Sequence, residues 1–183
     1  MQAYPTLLAL LALLAFAAIA PPAFAQTAKP GAKTHAAAPA GPKAIGRFED
    51  WTAATNKEAG QTVCYAFTRA QASAPAVSGR GDVVMTVTER SGGRDAVALS
   101  AGFAYAANAA VSVVVDQQPP LDFYTAQRSA FARDGHAAVQ AFLKGKQVIA
   151  HSPGPKAAVA DTFSLRGFNA AYGAIAKACP AGK

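Results

Sequence analysis

The sequence predicts a mainly β domain, an antiparallel β-sandwich or barrel carrying one or two short helices, and three observations lead there. Several short segments alternate apolar and polar residues with a period of two, turn signals separate them, and only two segments place apolar residues at helical spacing. The composition is that of one ordinary globular domain: 183 residues, 52% hydrophobic and 15% charged. Two cysteines and three histidines exclude a disulfide-rich mini-scaffold and a multi-cysteine metal site, and the apolar content is too dispersed for a membrane bundle.

The elements follow in order. Phe48 to Ala53 is a short strand candidate around Glu49-Asp50-Trp51. Thr62 to Ala70 alternates Val63, Tyr65 and Phe67 against Thr62, Cys64 and Thr68, which predicts a half-buried strand. Val83 to Arg90 repeats the period with Val83, Met85 and Val87 on one face, and Ser91-Gly92-Gly93 turns it into a hairpin with Asp95 to Ala101. Val111 to Asp116 is a β-branched run expected to be buried on both faces, and Gln117 to Pro120 turns it into Leu121 to Thr125. Gln147 to His151 and Val159 to Leu165 flank a loop with two prolines and are expected to be neighbouring strands. Between them and the earlier strands, Gly135 to Gly145 carries Val139, Phe142 and Leu143 at helical spacing and closes on a lysine and a glycine. A second helix is predicted over Phe168 to Cys179, where Phe168, Ala171, Tyr172, Ile175 and Cys179 share one face and Pro180 stops it.

Ahead of this domain lie two other kinds of chain. Thr6 to Ala20 is an uncharged run of fifteen residues, short of the roughly 20 needed to span a bilayer. Ala23-Phe24-Ala25 follows in the small-residue pattern of a signal-peptidase site, so residues 1–25 read as a secretory signal, although Met1 to Pro5 holds no lysine or arginine; an uncleaved anchor is the alternative. Residues 26–44 are rich in Ala, Pro, Gly and Lys, lack any large apolar side chain, and read as a flexible tether that includes His35. The folded domain is then 45–183. The mature chain is expected outside the cytoplasm: periplasmic, outer-membrane associated or secreted.

The net charge of +7 does not make this a nucleic-acid protein. Three of its bases are Lys29, Lys33 and Lys43 of the tether, and those of the domain are scattered among acids instead of forming one basic face. Weak attraction to anionic lipid or polysaccharide is the reasonable consequence.

Cys64 and Cys179, the two thiols of an exported chain, are candidates for a disulfide, with two buried free cysteines as the alternative. Closing a loop of that length would stabilise by roughly 4–5 kcal/mol in the chain-entropy view. Phe163 and Leu165 are expected to face the core, Gly167 to let the backbone reverse, and Phe168 to begin the stripe that seats the last helix. With Trp51 and Tyr65 these residues make up the expected core.

Phe48-Glu49-Asp50-Trp51 with Val63-Cys64-Tyr65, Ser129-Ala130-Phe131 leading to Ala141-Phe142-Leu143-Lys144-Gly145-Lys146, and Phe163-Ser164-Leu165-Arg166-Gly167-Phe168-Asn169-Ala170-Ala171 together carry a family resemblance. From about Ile45 to Cys179 the chain resembles the invasion-associated locus B family of bacterial exported proteins. The resemblance implies an immunoglobulin-like β-sandwich and, through the members that give the family its name, a connection to host-cell invasion. It implies no catalytic residues. Some relatives carry further cysteines that this chain lacks, so their disulfide pattern does not transfer.

Ser129, Asp134 and His136 lie close in sequence, but no nucleophile elbow surrounds Ser129, and no two histidines have helical metal spacing. His136 and His151 read as solvated residues at element ends. Arg80-Gly81-Asp82 falls in a loop between strands and is the tripeptide that integrins recognise, a weak candidate for a binding loop because Gly and Asp are common in turns. The reading is therefore an exported, non-enzymatic interaction module with no cofactor and no metal, whose partner is an envelope or host-surface protein or polysaccharide. A periplasmic hydrolase or small-ligand carrier is the alternative.

Overall fold

The computed structural model describes residues 41–181. The signal and residues 26–40 of the predicted tether lie outside the described residues. Eleven strands and two helices follow in chain order: β1 Lys43–Phe48, β2 Trp51–Glu58, β3 Gln61–Arg69, β4 Ala72–Ala74, β5 Val84–Arg90, β6 Gly93–Ser100, β7 Ala110–Val115, β8 Leu121–Ala126, β9 Ser129–Ala132, α1 Gly135–Lys144, β10 Gln147–Pro153, β11 Ala158–Ser164 and α2 Phe168–Ala178. No helix among these residues is long and apolar enough to cross a membrane.

All eleven strands join one antiparallel sheet in the order β1-β2-β3-β5-β6-β9-β8-β7-β10-β11-β4. The mainly β architecture and both helices are as the sequence predicts. The strands, however, are one continuous ladder where an immunoglobulin-like sandwich would divide them into two separately bonded sheets. The path of β3 explains how one sheet can enclose a core. β3 is third from one edge, yet after Ala70-Gln71 the chain enters β4, the opposite edge, and Gln71 N donates to Thr162 O of β11 at 2.8 Å. Two residues span only about 7 Å, so the sheet must curl until β11 comes round beside β3.

Along the curled sheet the period of two fixes what faces in. Met85 and Val87 of β5, Val97 and Leu99 of β6, Val111, Val113 and Val115 of β7, and Val148 and Ala150 of β10 are buried in one cluster. The both-face burial expected of β7 is not found: Ser112 and Val114 are half-buried, because that face of the sheet has no second layer over it. On β3 the inward set is Cys64, Ala66 and Thr68, and Tyr65 is half-buried on the outer face with Phe67. Tyr65 is therefore not a core residue. Helix α2 packs over β2 and β3 on the inner side, and small side chains fit beneath it.

The strand expected at Phe48–Ala53 is a hairpin corner. Glu49 has φ 49°, in the left-handed region, and the chain reverses there between β1 and β2. β1 also takes in Lys43 and Ala44, the end of the predicted tether. Its apolar residues Ala44, Ile45 and Phe48 do not alternate, and an edge strand is held by backbone pairing on one side, so its sequence does not announce it.

The helices close the interior. Asp134 caps α1, its carboxylate accepting from Ala137 N at 2.9 Å, and Ala138, Val139 and Phe142 point inward. Trp51, Phe163, Leu165 and Phe168 are buried, and Trp51 Nε1 donates to Ser164 O at 2.9 Å while its ring lies 4.7 Å from that of Phe168. Gly167, at φ 83°, starts α2 in a conformation that L side chains avoid, and any Cβ there would collide with Phe48 O. Cys64 and Cys179 form a disulfide, Cα to Cα 5.9 Å, that ties β3 to the end of α2 across 115 residues.

Candidate functional site

Three groupings of side chains stand out: two internal, one open. The first is built where β11 meets β4 and the loop after it. Asp161 is fully buried and Arg80 6% exposed in its side chain; Arg80 Nη1 and Nη2 donate to Oδ1 and Oδ2 at 2.7 and 2.6 Å, and Ser73 Oγ donates to Oδ1 at 2.6 Å. The Arg80 Nε donates to Ala101 O, and the guanidinium lies 4.9 Å from the Phe103 ring centroid. A fork-to-fork pair with every oxygen occupied is the arrangement that makes a buried ion pair durable. Nearby, burial raises the pKa of Tyr105, although its hydroxyl hydrogen-bonds Ser152 Oγ at 3.0 Å.

That lock settles the fate of the tripeptide. Arg80-Gly81-Asp82 does lie in a loop, between β4 and β5, but its arginine is turned inward to Asp161 while Asp82 is exposed and paired with Arg69. The three residues are not displayed together, because the burial of Asp161 demands the guanidinium.

The second grouping sits where the β5–β6 hairpin meets both helices. Glu89 Oε1 accepts from Asp95 N at 3.2 Å; Oε2 lies 2.6 Å from Arg94 Nε yet makes no aligned hydrogen bond. Tyr172 of α2 donates to Asp95 Oδ1 at 2.6 Å, and His136 Nδ1 of α1 stands 2.8 Å from Oδ2 as a donor to that carboxylate. Arg94 also donates to Cys179 O beside the disulfide. Burial, reinforced by the Asp95 side chain, raises the Glu89 pKa to about 7, against the nearby Arg94 charge and the Asp95 N–H, which lower it. Burial would raise Asp95 too, but the hydrogen bonds from Tyr172 and His136 outweigh it and hold that carboxyl below its usual range. Burial and the Asp95 contact push the Tyr172 phenol up.

The sequence neighbours Ser129, Asp134 and His136 do not converge. Ser129 is in the β9 ladder, Asp134 caps α1, and His136 bonds Asp95 with its side chain 72% exposed. His151 is exposed on β10, between Ser112 and Ala160. Among the described residues no three His, Cys, Asp or Glu side chains gather as a metal site. The sequence reading overlooked Glu89 and Asp161, and a signal for both was present: each continues the inward period of its strand, after Met85 and Val87 in one case and between Val159 and Phe163 in the other.

The third grouping is on the outer face. Register brings Phe67, Thr86, Ala98, Phe131 and Tyr124 into one row across β3, β5, β6, β9 and β8, a span of about 19 Å at the usual strand spacing. Tyr124 is 46% exposed, stacks on Phe131 at 5.5 Å, and carries the Arg133 guanidinium 5.7 Å from its centroid. A cleft of about 310 Å³ opens beside them, walled by Asn108, Asp122, Tyr124, Thr125 and Arg133. A second, of about 340 Å³, lies at the other end of the row with Phe67, Thr52, Arg47 and Asp50.

No curated protein matches the sequence. The fold is similar to the crystal structure of invasion associated protein B from Bartonella henselae, with a TM-score of 0.52 at 16% identity over 73% of this chain and 96% of that one. At that identity the likeness is one of fold. The profile described as invasion associated locus B (IalB) protein matches residues 51–176, from the first residue of β2 to within the last turn of α2. With that span covering well over half its length, the chain belongs to the invasion associated locus B family.

Proposed function

We propose that this protein is an exported, non-enzymatic interaction module of the bacterial envelope, working in the periplasm or at the cell surface by engaging envelope or host-surface partners through its outer sheet face. The observation that carries the reading is the division of its side chains. The ionisable groups turned inward, Arg80 with Asp161 and Glu89 with Asp95, are engaged in holding the fold, while an aromatic row with an exposed tyrosine and a guanidinium faces solvent. The disulfide favours an oxidising compartment.

The test is protease accessibility of the folded domain in intact cells against cells with a permeabilised outer membrane, followed by binding of the purified domain to envelopes and host cells. Cleavage in intact cells supports action at the surface, and protection until permeabilisation supports action on envelope components. Recovery of the domain in the cytoplasm, or no association with either preparation, overturns the reading.

A further inference from the structure

We infer that the cleft beside Tyr124 is a binding site for an acidic saccharide, a chain of sugar rings bearing carboxylates; this rests on the interaction-module reading and names its partner. The chain has eight arginines. Arg69, Arg80, Arg90, Arg94 and Arg166 are paired with carboxylates, and Arg47 and Arg128 donate to backbone carbonyls. Of these eight arginines, all within the described residues, Arg133 alone has neither an ion pair nor a side-chain hydrogen bond; it is held against the Tyr124 ring. A guanidinium parked on an aromatic surface keeps its five donors in the forked geometry that takes a carboxylate with two bonds. The ring contact favours one resting place for the guanidinium, which lowers the freedom lost on binding.

The surroundings select a sugar as the bearer of that carboxylate. An exposed tyrosine edge offers apolar surface and a hydroxyl together, which suits a ring with C–H and O–H groups on adjoining faces. Asp122 supplies acceptors and Asn108 both donors and acceptors on the same walls, the complement of a polyol. The cleft, about 310 Å³, is at the lower end of the range for small-molecule sites and suits one ring with its substituent. Continuation of the row through small Ala98 and Thr86 to Phe67 leaves an unobstructed track for further rings, toward the second cleft with its own arginine and aspartate. The chain's net charge of +7 draws a polyanion to the surface at long range.

The experiment titrates the mature protein with tetragalacturonate and with the same tetrasaccharide fully methyl-esterified, followed by calorimetry and by backbone amide NMR shifts. Preferential binding of the acid, with shifts centred on β7 to β9, and at least a tenfold weaker affinity for each of Arg133→Gln and Tyr124→Ala are expected. Both side chains are at the surface, and unchanged melting temperatures confirm that the variants fold. Lys144→Gln, which removes one positive charge from α1, is expected to leave affinity within twofold. Equal binding of acid and ester, an equal loss in all three variants, or no binding of either sugar overturns the inference. Retention of envelope or host-cell association by Arg133→Gln would overturn it while leaving the interaction-module reading standing.

Discussion

Asp161 and Glu89 are both carboxylates with no solvent exposure, each on the inward face of a strand in one sheet, and they lead opposite lives. Asp161 meets a forked guanidinium and a serine hydroxyl, which occupy both oxygens. Glu89 meets one backbone N–H, a second carboxyl and an arginine placed off the hydrogen-bond direction, so one oxygen has no hydrogen bond. The difference shows that burial alone does not decide what a carboxylate does for a fold. Where each oxygen has a donor the group is a rivet; where one does not, holding a proton relieves the charge, and the site becomes sensitive to pH.

Breaking the rivet has the largest expected effect. Arg80→Met should cost about 3–5 kcal/mol in urea unfolding, because Asp161 is then buried with only Ser73 beside it. Replacing both partners, as Arg80→Met with Asp161→Leu, should recover most of that loss. A single variant costing under about 1 kcal/mol would show that water reaches Asp161.

Glu89 predicts a slope of stability with pH. Its folded pKa of about 7 lies above the ordinary 4.5, so between those values the folded chain holds a proton that the unfolded chain has released. Stability from this group is therefore complete below about pH 4.5 and is lost as pH rises through about 7, by up to about 3 kcal/mol at 1.36 kcal/mol per unit. Melting temperatures measured from pH 5 to 8 should fall in the parent chain and stay flatter in Glu89→Gln. Asp95, shifted downward, acts outside this window, its contribution being lost only in stronger acid.

Tyr172→Phe sharpens the contrast within the same cluster. Removing the hydroxyl that donates to Asp95 should cost about 2 kcal/mol and move acid unfolding to higher pH, because a force holding that carboxyl ionised is gone. The smallest effect is expected at the surface. Arg166→Gln breaks an exposed pair with Glu49, side chains 73% and 54% accessible, and should change stability by less than about 1 kcal/mol. A larger loss there than at Arg80 would overturn the ranking by burial.

These contrasts also mark how far the sequence can be read. Most of the longer strands and both helices were legible because alternation and helical spacing are local signals, as in Val83–Arg90 and Phe168–Cys179, whereas β2 was legible only as far as Ala53 because its later residues are mostly polar. β4 and β9, of three and four residues, are too short to show a period, and the apolar residues of β1, Ala44, Ile45 and Phe48, do not alternate. The single curled ladder was hidden because periodicity tells which face is buried and not which edge pairs with which. Arg80 looked displayed because its partner is 81 residues away. The cysteine pair was a candidate from number and expected compartment, with two free thiols as the alternative, and the structure joins them. Of the outer face, Tyr124, Phe131 and Arg133 became neighbours only through the β8–β9 register.

The position of the Cys64–Cys179 bridge also decides how the domain would carry a load applied at its ends. A pull between Gly41 and Ala181 can peel β1 and β2 and the start of β3, then passes straight through the sulfur–sulfur bond, and residues 65–178 are bypassed. The extensible length is about 90 Å, against about 490 Å for the same stretch without the cross-link. A domain held at its N-terminal end and tugged near α2 would yield a short hairpin and keep the Tyr124 end of its outer face intact, whereas reduction would turn the whole sheet into slack.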